Sequence, residues 1–365
     1  MSGGMKQWFS NLICYVANGC GIAILVLGSP NEGRAGSVEI VFPGDSWEER
    51  DPEELGLDPE GLDRLAGSFR GRGVVVKDGY VVKSWGALPR RGDWFGASNP
   101  LLSSLLFFGV EEGRIDGVDE PIRNYLWDLN SKDRTIALAH LANMTSGYAY
   151  HESAGETWAY SNLGVQLFQM TLFDRVYNAP PISVLLHRDR LGPLKFQDRP
   201  GFRERTNTFI ASVRDYARLA WFWCQKGNWN GEQLLPAHYF DRFQKAHVSA
   251  QISAPSEGDT NDYLHIGNYR DESEFFEHAA PSSYGYGWWF NRSLGGGDGN
   301  LIWPEAPSDM FLCVGDRGNN AVIIPSLNLV LVTAYSQWGS FEPRDASGTF
   351  NSRIQTFLSS LREAN

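Results

Sequence analysis

Gly73-Val-Val-Val-Lys-Asp-Gly-Tyr-Val-Val-Lys-Ser-Trp85 consists of two β-branched runs separated by Asp78-Gly79. That dipeptide supplies the two left-handed residues a type I′ turn requires, so the stretch predicts a β-hairpin. Before it, Pro59 to Phe69 reads as a helix. After it, Leu101 to Glu112 is an apolar run with interspersed small residues that stops at Gly113, as a buried helix with a C-terminal glycine does. Helical pieces follow over Ile136 to Met144, Leu163 to Tyr177 and Ser212 to Lys226, and the polar stretch Ser249 to Pro281 reads as a surface excursion. Strand-like segments return at Tyr284 to Asn291, Phe311 to Gly315, Ala321 to Pro325 and Leu327 to Tyr335. Phe350 to Arg362 closes as a helix. This order predicts one sheet built from both ends of the chain around an inserted helical subdomain, with a cleft between them as the default site.

Composition bounds the function. The 365 residues carry 32 Lys and Arg against 43 Asp and Glu, a net charge of −11, and no basic run stands out. A phosphate-binding footprint is therefore missing and no nucleic-acid partner is expected. Aromatic residues make up 13%, and the 42% apolar share excludes a chain that is disordered throughout. Residues 1–37 contain Lys6 followed by a mostly apolar stretch, Leu12 to Leu27, and then Gly-Ser-Pro. This predicts a signal peptide or signal anchor, hence an exported protein that meets a membrane only through that segment. A lipid-attachment reading of Cys20 is weaker, because Asn18 stands where such sites want small apolar residues. Cys224 and Cys313 read as buried small hydrophobes, with pairing between them left open. Metal-binding, phosphate-loop and nucleophile-elbow patterns are absent, so no cofactor or metal is expected and His151-Glu152 remains an isolated pair.

Several segments together resemble the serine β-lactamase and penicillin-binding-protein superfamily, in particular class C β-lactamases, DD-peptidases, esterases of that fold and 6-aminohexanoate-oligomer hydrolases. They are Glu54-Leu-Gly-Leu57, the hairpin ending Trp85-Gly86, Glu111-Glu-Gly-Arg-Ile115, His140-Leu-Ala-Asn-Met-Thr-Ser-Gly147, Trp158-Ala-Tyr-Ser-Asn162, Trp229-Asn-Gly231, Tyr284-Gly-Tyr-Gly-Trp-Trp289 and Ile323-Ile-Pro-Ser-Leu-Asn-Leu329. The resemblance implies a mixed α/β (α+β) fold, with an antiparallel sheet flanked by helices. The domain would span residues 38–365, its helical subdomain covering about 96–245.

Such enzymes carry S-x-x-K at a helix start, where Ser and Lys one turn apart share a face. Counting back from Gly113 and Ile115 through Asp93-Trp-Phe-Gly-Ala-Ser-Asn-Pro-Leu101, the Ser position is Gly96 and the Lys position is Asn99. The nearest hydroxyl, Ser98, is followed three places on by Leu101, which cannot accept a proton. Ser98 reads first as an N-cap ahead of Pro100 and only second as a relocated nucleophile. Ser103 and Ser104 read as packing residues. The Tyr-x-Asn motif remains as Tyr160-Ser161-Asn162, which implies a proton-shuttling Tyr160, itself an alternative nucleophile, and a substrate-binding Asn162; capping of the next helix is the competing reading.

The Lys-Thr-Gly motif on an edge strand falls on Asp316-Arg317-Gly318, followed by Asn319. Strand alternation would turn Arg317 away from the place the cation occupies, and Asp316 with Arg317 reads as a solvated pair. Backbone donors near Gly96 and beside Gly318 or Asn319 could still bind a carboxylate or carbonyl oxygen. Trp158, Tyr284, Tyr286, Trp288 and Trp289 could line an apolar pocket. The expectation is a catalytically impaired or non-hydrolytic homologue that binds a small acyl, peptide or peptidoglycan-like ligand. The alternatives are an active ester, amide or lactam hydrolase using Ser98 or Tyr160, and a pseudoenzyme that regulates an active paralogue.

Overall fold

The computed structural model describes residues 39–204, 208–257, 261–267, 279–292, 301–345 and 347–361. The expected leader at 1–37, with Cys20, lies outside them. Among the described residues no helix is long and apolar enough to cross a membrane.

The opening hairpin forms as the sequence requires. Strand β1 (Arg72–Lys77) and strand β2 (Tyr80–Trp85) are joined by Asp78 at φ 53° and Gly79 at φ 92°. A bulge between Val75 and Val76 shifts the register. Where β1 has Gly73, the Trp85 ring from β2 fills the space: a Cβ there would lie 2.2 Å from the indole.

The C-terminal part supplies five more strands: β3 (Tyr284–Gly285), β4 (Trp288–Phe290), β5 (Phe311–Cys313), β6 (Asn320–Ile324) and β7 (Leu329–Ala334). Together the seven form one antiparallel sheet in the order β2-β1-β7-β6-β5-β4-β3. The segment expected as one strand, Tyr284 to Asn291, is instead a hairpin. Tyr286 and Gly287, at φ 49° and 89°, reverse the chain as Asp78 and Gly79 do.

Side chains alternate across this sheet and build two cores. Val74, Val76, Val330 and Val332 face helix α5 (Val213–Cys224), which packs on β7, β1 and β6. Val75, Leu329, Leu331 and Val322 face the other way, into the core shared by helix α1 (Pro59–Phe69) and the closing helix α6 (Thr349–Ser359). The pocket expected from five rings is therefore divided: Tyr286 and Trp288 belong to the first core, Trp158, Tyr284 and Trp289 to the second.

Between β2 and β3 lie the inserted helices. Helix α2 (Asn99–Glu111) is buried from Asn99 to Gly109 and ends before Gly113 at φ 67°. Helix α3 (Leu138–Ala142) is shorter than expected, since His140 Nδ1 caps the Ala137 N–H and Met144 takes a left-handed φ of 60°. Helix α4 (Asn162–Met170) continues as a π-helical turn over Thr171–Tyr177, where the Thr171 hydroxyl donates back to the Leu167 carbonyl. A small sheet of Gly92–Asp93, Phe209–Ala211 and Gly201–Phe202, absent from the sequence reading, ties the start of the insert to its end. Cys224 and Cys313 are both buried free thiols, so the pairing left open does not form. Burial pushes both thiols well up from their ordinary values.

Candidate functional site

The turn from Gly92–Asp93 into α2 is held from several sides. One Asp93 carboxylate oxygen accepts the Phe95 N–H, and the other accepts from Arg203 and Thr208, each at 3.0 Å. The Trp94 ring stacks on Tyr216 at 3.7 Å, and the Tyr216 hydroxyl donates to the Ala97 carbonyl. Inside this brace Phe95 adopts φ 47°, one residue before Gly96. A non-glycine residue there stores backbone strain that only surrounding structure can hold in place.

Asn99 then opens α2 with a buried side chain, and its Nδ2 donates to the Tyr160 hydroxyl at 2.9 Å. This one bond joins the position read as the family's Lys to the position read as its Tyr. Tyr160 and Asn162 do not themselves cap α4. The cap is Ser161, whose hydroxyl accepts the Gly164 N–H at 3.1 Å.

Tyr284 completes the cluster. Its ring lies 6.0 Å from Trp158 and 4.7 Å from Trp289, edge-on to both. Burial raises the Tyr284 phenol well above its ordinary value. Among the described residues, neither the Tyr284 hydroxyl nor the Trp158 indole N–H has a hydrogen-bond partner. Gly287 seals this corner at φ 89°; a Cβ there would lie 2.6 Å from the Asn99 carbonyl carbon and the Pro100 nitrogen.

Asp316–Gly318 is a short 3-10 turn between β5 and β6, both interior strands, so the edge-strand placement is corrected. Strand alternation does not govern Arg317, which sits at φ 59° with its guanidinium 5.5 Å from the Phe95 ring centroid. Its Nε lies 3.6 Å from Asp316 Oδ2, and both side chains are partly exposed. Gly318 is pinned by the Ser336 carbonyl, 2.0 Å from where its Cβ would be. Asn319 braces the turn: its Oδ1 accepts the Tyr335 N–H and its Nδ2 donates to the Asp316 carbonyl. Gly315 backs onto the first turn, a Cβ there meeting the Trp94 carbonyl at 2.5 Å and the Ala97 nitrogen at 2.9 Å.

Ser98 holds the N-cap position of α2 but makes no capping hydrogen bond. Its backbone is already helical and its hydroxyl donates to the Phe95 carbonyl. Ser104 donates to the Pro100 carbonyl and accepts from the Trp223 indole, while the Ser103 hydroxyl is buried without a partner among the described residues. His151 meets Glu257 at the surface, 3.2 Å apart. Among the described residues no three His, Cys, Asp or Glu side chains are grouped to hold a metal. Sequence reasoning missed Phe95 and Asn143, whose Oδ1 accepts the Tyr286 N–H at 2.9 Å. The signal available for Asn143 was its place inside His140–Gly147.

A beta-lactamase family model matches residues 105–351, more than half of the chain. The chain belongs to the beta-lactamase family. An uncharacterized protein of Alkalihalophilus pseudofirmus is 23% identical over 266 residues, covering 64% of this chain and 70% of that one. A beta-lactamase from Mycobacterium bovis is similar in structure at a TM-score of 0.54 and 17% identity, over 82% of this chain and 99% of that one. A beta-lactamase/D-alanine carboxypeptidase from Yersinia pestis is similar at a TM-score of 0.55 and 14% identity, over 83% and 96%. At such identities the structural likeness establishes the fold.

Within this family member, the cluster can donate and accept hydrogen bonds through Asn99, Tyr160, Tyr284 and Trp158. Gly96 offers no hydroxyl, and the Asn99 amide cannot take up a proton at neutral pH.

Proposed function

We propose that this beta-lactamase-family chain binds an acyl, amide or short peptide ligand in the cleft between sheet and insert and does not turn it over through the family's Ser–Lys chemistry. The hydrogen bond from Asn99 Nδ2 to the Tyr160 hydroxyl at 2.9 Å carries this reading. It puts a neutral amide, unable to act as a base, beside the retained Tyr and next to Gly96. Losing a nucleophile from a catalytic unit costs on the order of 10⁶ in rate, roughly 8 kcal/mol of transition-state stabilisation. Residues 1–37 act in this proposal as the export segment that brings the domain to such ligands.

Intact-mass analysis after incubation with a fluorophosphonate, and separately with a penicillin, tests it. The wild-type chain should gain no adduct, while Gly96→Ser/Asn99→Lys should gain one. A wild-type adduct lost in Ser98→Ala, or in Tyr160→Phe, would establish a hydrolase with a relocated nucleophile and overturn the proposal. Co-purification with an active relative, together with no small-molecule affinity, would instead favour a partner-regulating pseudoenzyme.

A further inference from the structure

Away from the cleft, a cavity of about 540 Å³ opens between α6 and the chain around residues 301–305 and 343–344. Its size falls within the range of small-molecule sites. Two buried asparagines brace its walls, Asn351 from within the lining and Asn291 from behind it. Asn291 Nδ2 donates to the carbonyls of Trp303, Ala306 and Pro307, and its Oδ1 accepts the Trp303 N–H. Asn351 Nδ2 donates to the carbonyls of Glu342, Pro343 and Asp345, and its Oδ1 accepts from the Trp303 indole. Loops stapled this way hold their shape before any ligand arrives, which lowers the ordering cost of binding.

The lining is apolar through Leu301, Ile302, Ile354 and Leu358, with Gln355 among them. It also carries one charge of each sign, Arg344 and Glu305, both exposed. Arg344 donates to the Ser282 hydroxyl at 3.3 Å, and among the described residues neither charge forms an ion pair. A purely apolar ligand would leave both charges unused, and a simple anion would leave Glu305 facing it.

We propose that this cavity binds a short apolar peptide with both termini free. The guanidinium of Arg344 takes the carboxylate, Glu305 takes the ammonium, and the side chains lie along the apolar wall. In this arrangement the Gln355 amide, also in the lining, hydrogen-bonds the peptide link. None of the residues read as the cleft site lines this cavity, so the proposal stands independently of the one above.

Titration calorimetry of the full chain with the dipeptide Leu-Leu, N-acetyl-Leu-Leu and Leu-Leu-amide tests it. Leu-Leu should bind saturably in the cavity, and each capped form should bind there about tenfold or more weakly. Arg344→Gln should erase the discrimination against the amide and Glu305→Gln that against the acetyl form. The proposal is overturned by absence of saturable binding at millimolar Leu-Leu, by caps that make no difference, or by binding lost in Tyr160→Phe but kept in Arg344→Gln.

Discussion

Two of the regions in which this protein buries asparagine amides use them in opposite ways. Around the cavity, Asn291 and Asn351 each spend their amide on three backbone carbonyls and a fourth bond through the side-chain oxygen. In the candidate site, Asn99 meets the Tyr160 hydroxyl, while the Tyr284 hydroxyl and the Trp158 indole are buried without partners among the described residues. Buried polar groups are ordinarily satisfied, because leaving one unpaired costs about 1–3 kcal/mol. The saturated pair reads as architecture. The undersatisfied cluster, with Phe95 strained next to it, is where the proposed ligand would sit.

The largest expected effect lies at the saturated end. Asn291→Ala strands the Ala306 carbonyl and the Trp303 N–H, and Asn351→Ala the Pro343 carbonyl and the Trp303 indole N–H, while the other carbonyls keep a backbone donor; either should destabilise by about 3–5 kcal/mol, read as the urea midpoint. Gly287→Ala, which forces a Cβ against the start of α2 at φ 89°, should destabilise by about 2–3 kcal/mol. It should also abolish adduct formation in the Gly96→Ser/Asn99→Lys background. Asn99→Leu should move stability by under about 1 kcal/mol in either direction; a destabilisation as large as that of Asn351→Ala would erase the contrast.

The smallest effect is electrostatic. Neither kind of asparagine titrates, so the contrast should persist across pH, while His140 and His247 provide the background slope. Burial holds both imidazoles below their ordinary value of 6.5, Lys245 adding to it at His247. At these two sites the unfolded chain therefore binds more protons in this range. Stability should be full above pH 6.5 and fall as pH drops from there through the folded-state values. In His140→Gln/His247→Gln, unfolding midpoints measured between pH 5 and 7.5 should show a flatter dependence; an unchanged slope would contradict this assignment.

Much of the fold was legible in residues that interact with near neighbours. Asp78-Gly79 announces its hairpin because turn and strands lie within 13 residues, and the alternating apolar runs locate most of the sheet. Tyr286-Gly287 was missed as a turn because its flanking strands are only two or three residues long, too short to show alternation. The π-helical turn at Thr171–Tyr177 leaves no mark on apolar spacing, since a hydroxyl bond to the carbonyl four residues earlier accompanies it. In the candidate site, the positions of Gly96, Asn99 and Tyr160 could be read from motifs. The burial of Tyr284 against Asn99 could not, because the two are brought together by a sheet whose halves lie at opposite ends of the chain. Asn291 and Asn351 were unreadable for the same reason: their partners are backbone groups with no sequence signature.

The pairing of β1 with β7 has a consequence for synthesis. Arg72 and Ala334 face each other in the finished sheet, so the first hairpin leaves the ribosome long before its neighbour exists. At roughly 5–20 residues per second, Val74-Val75-Val76 presents an open β-edge for tens of seconds. During translation the most aggregation-prone surface of this protein is therefore its best-defined local element, and its yield in cells should depend on chaperone supply more than on the stability of the folded state.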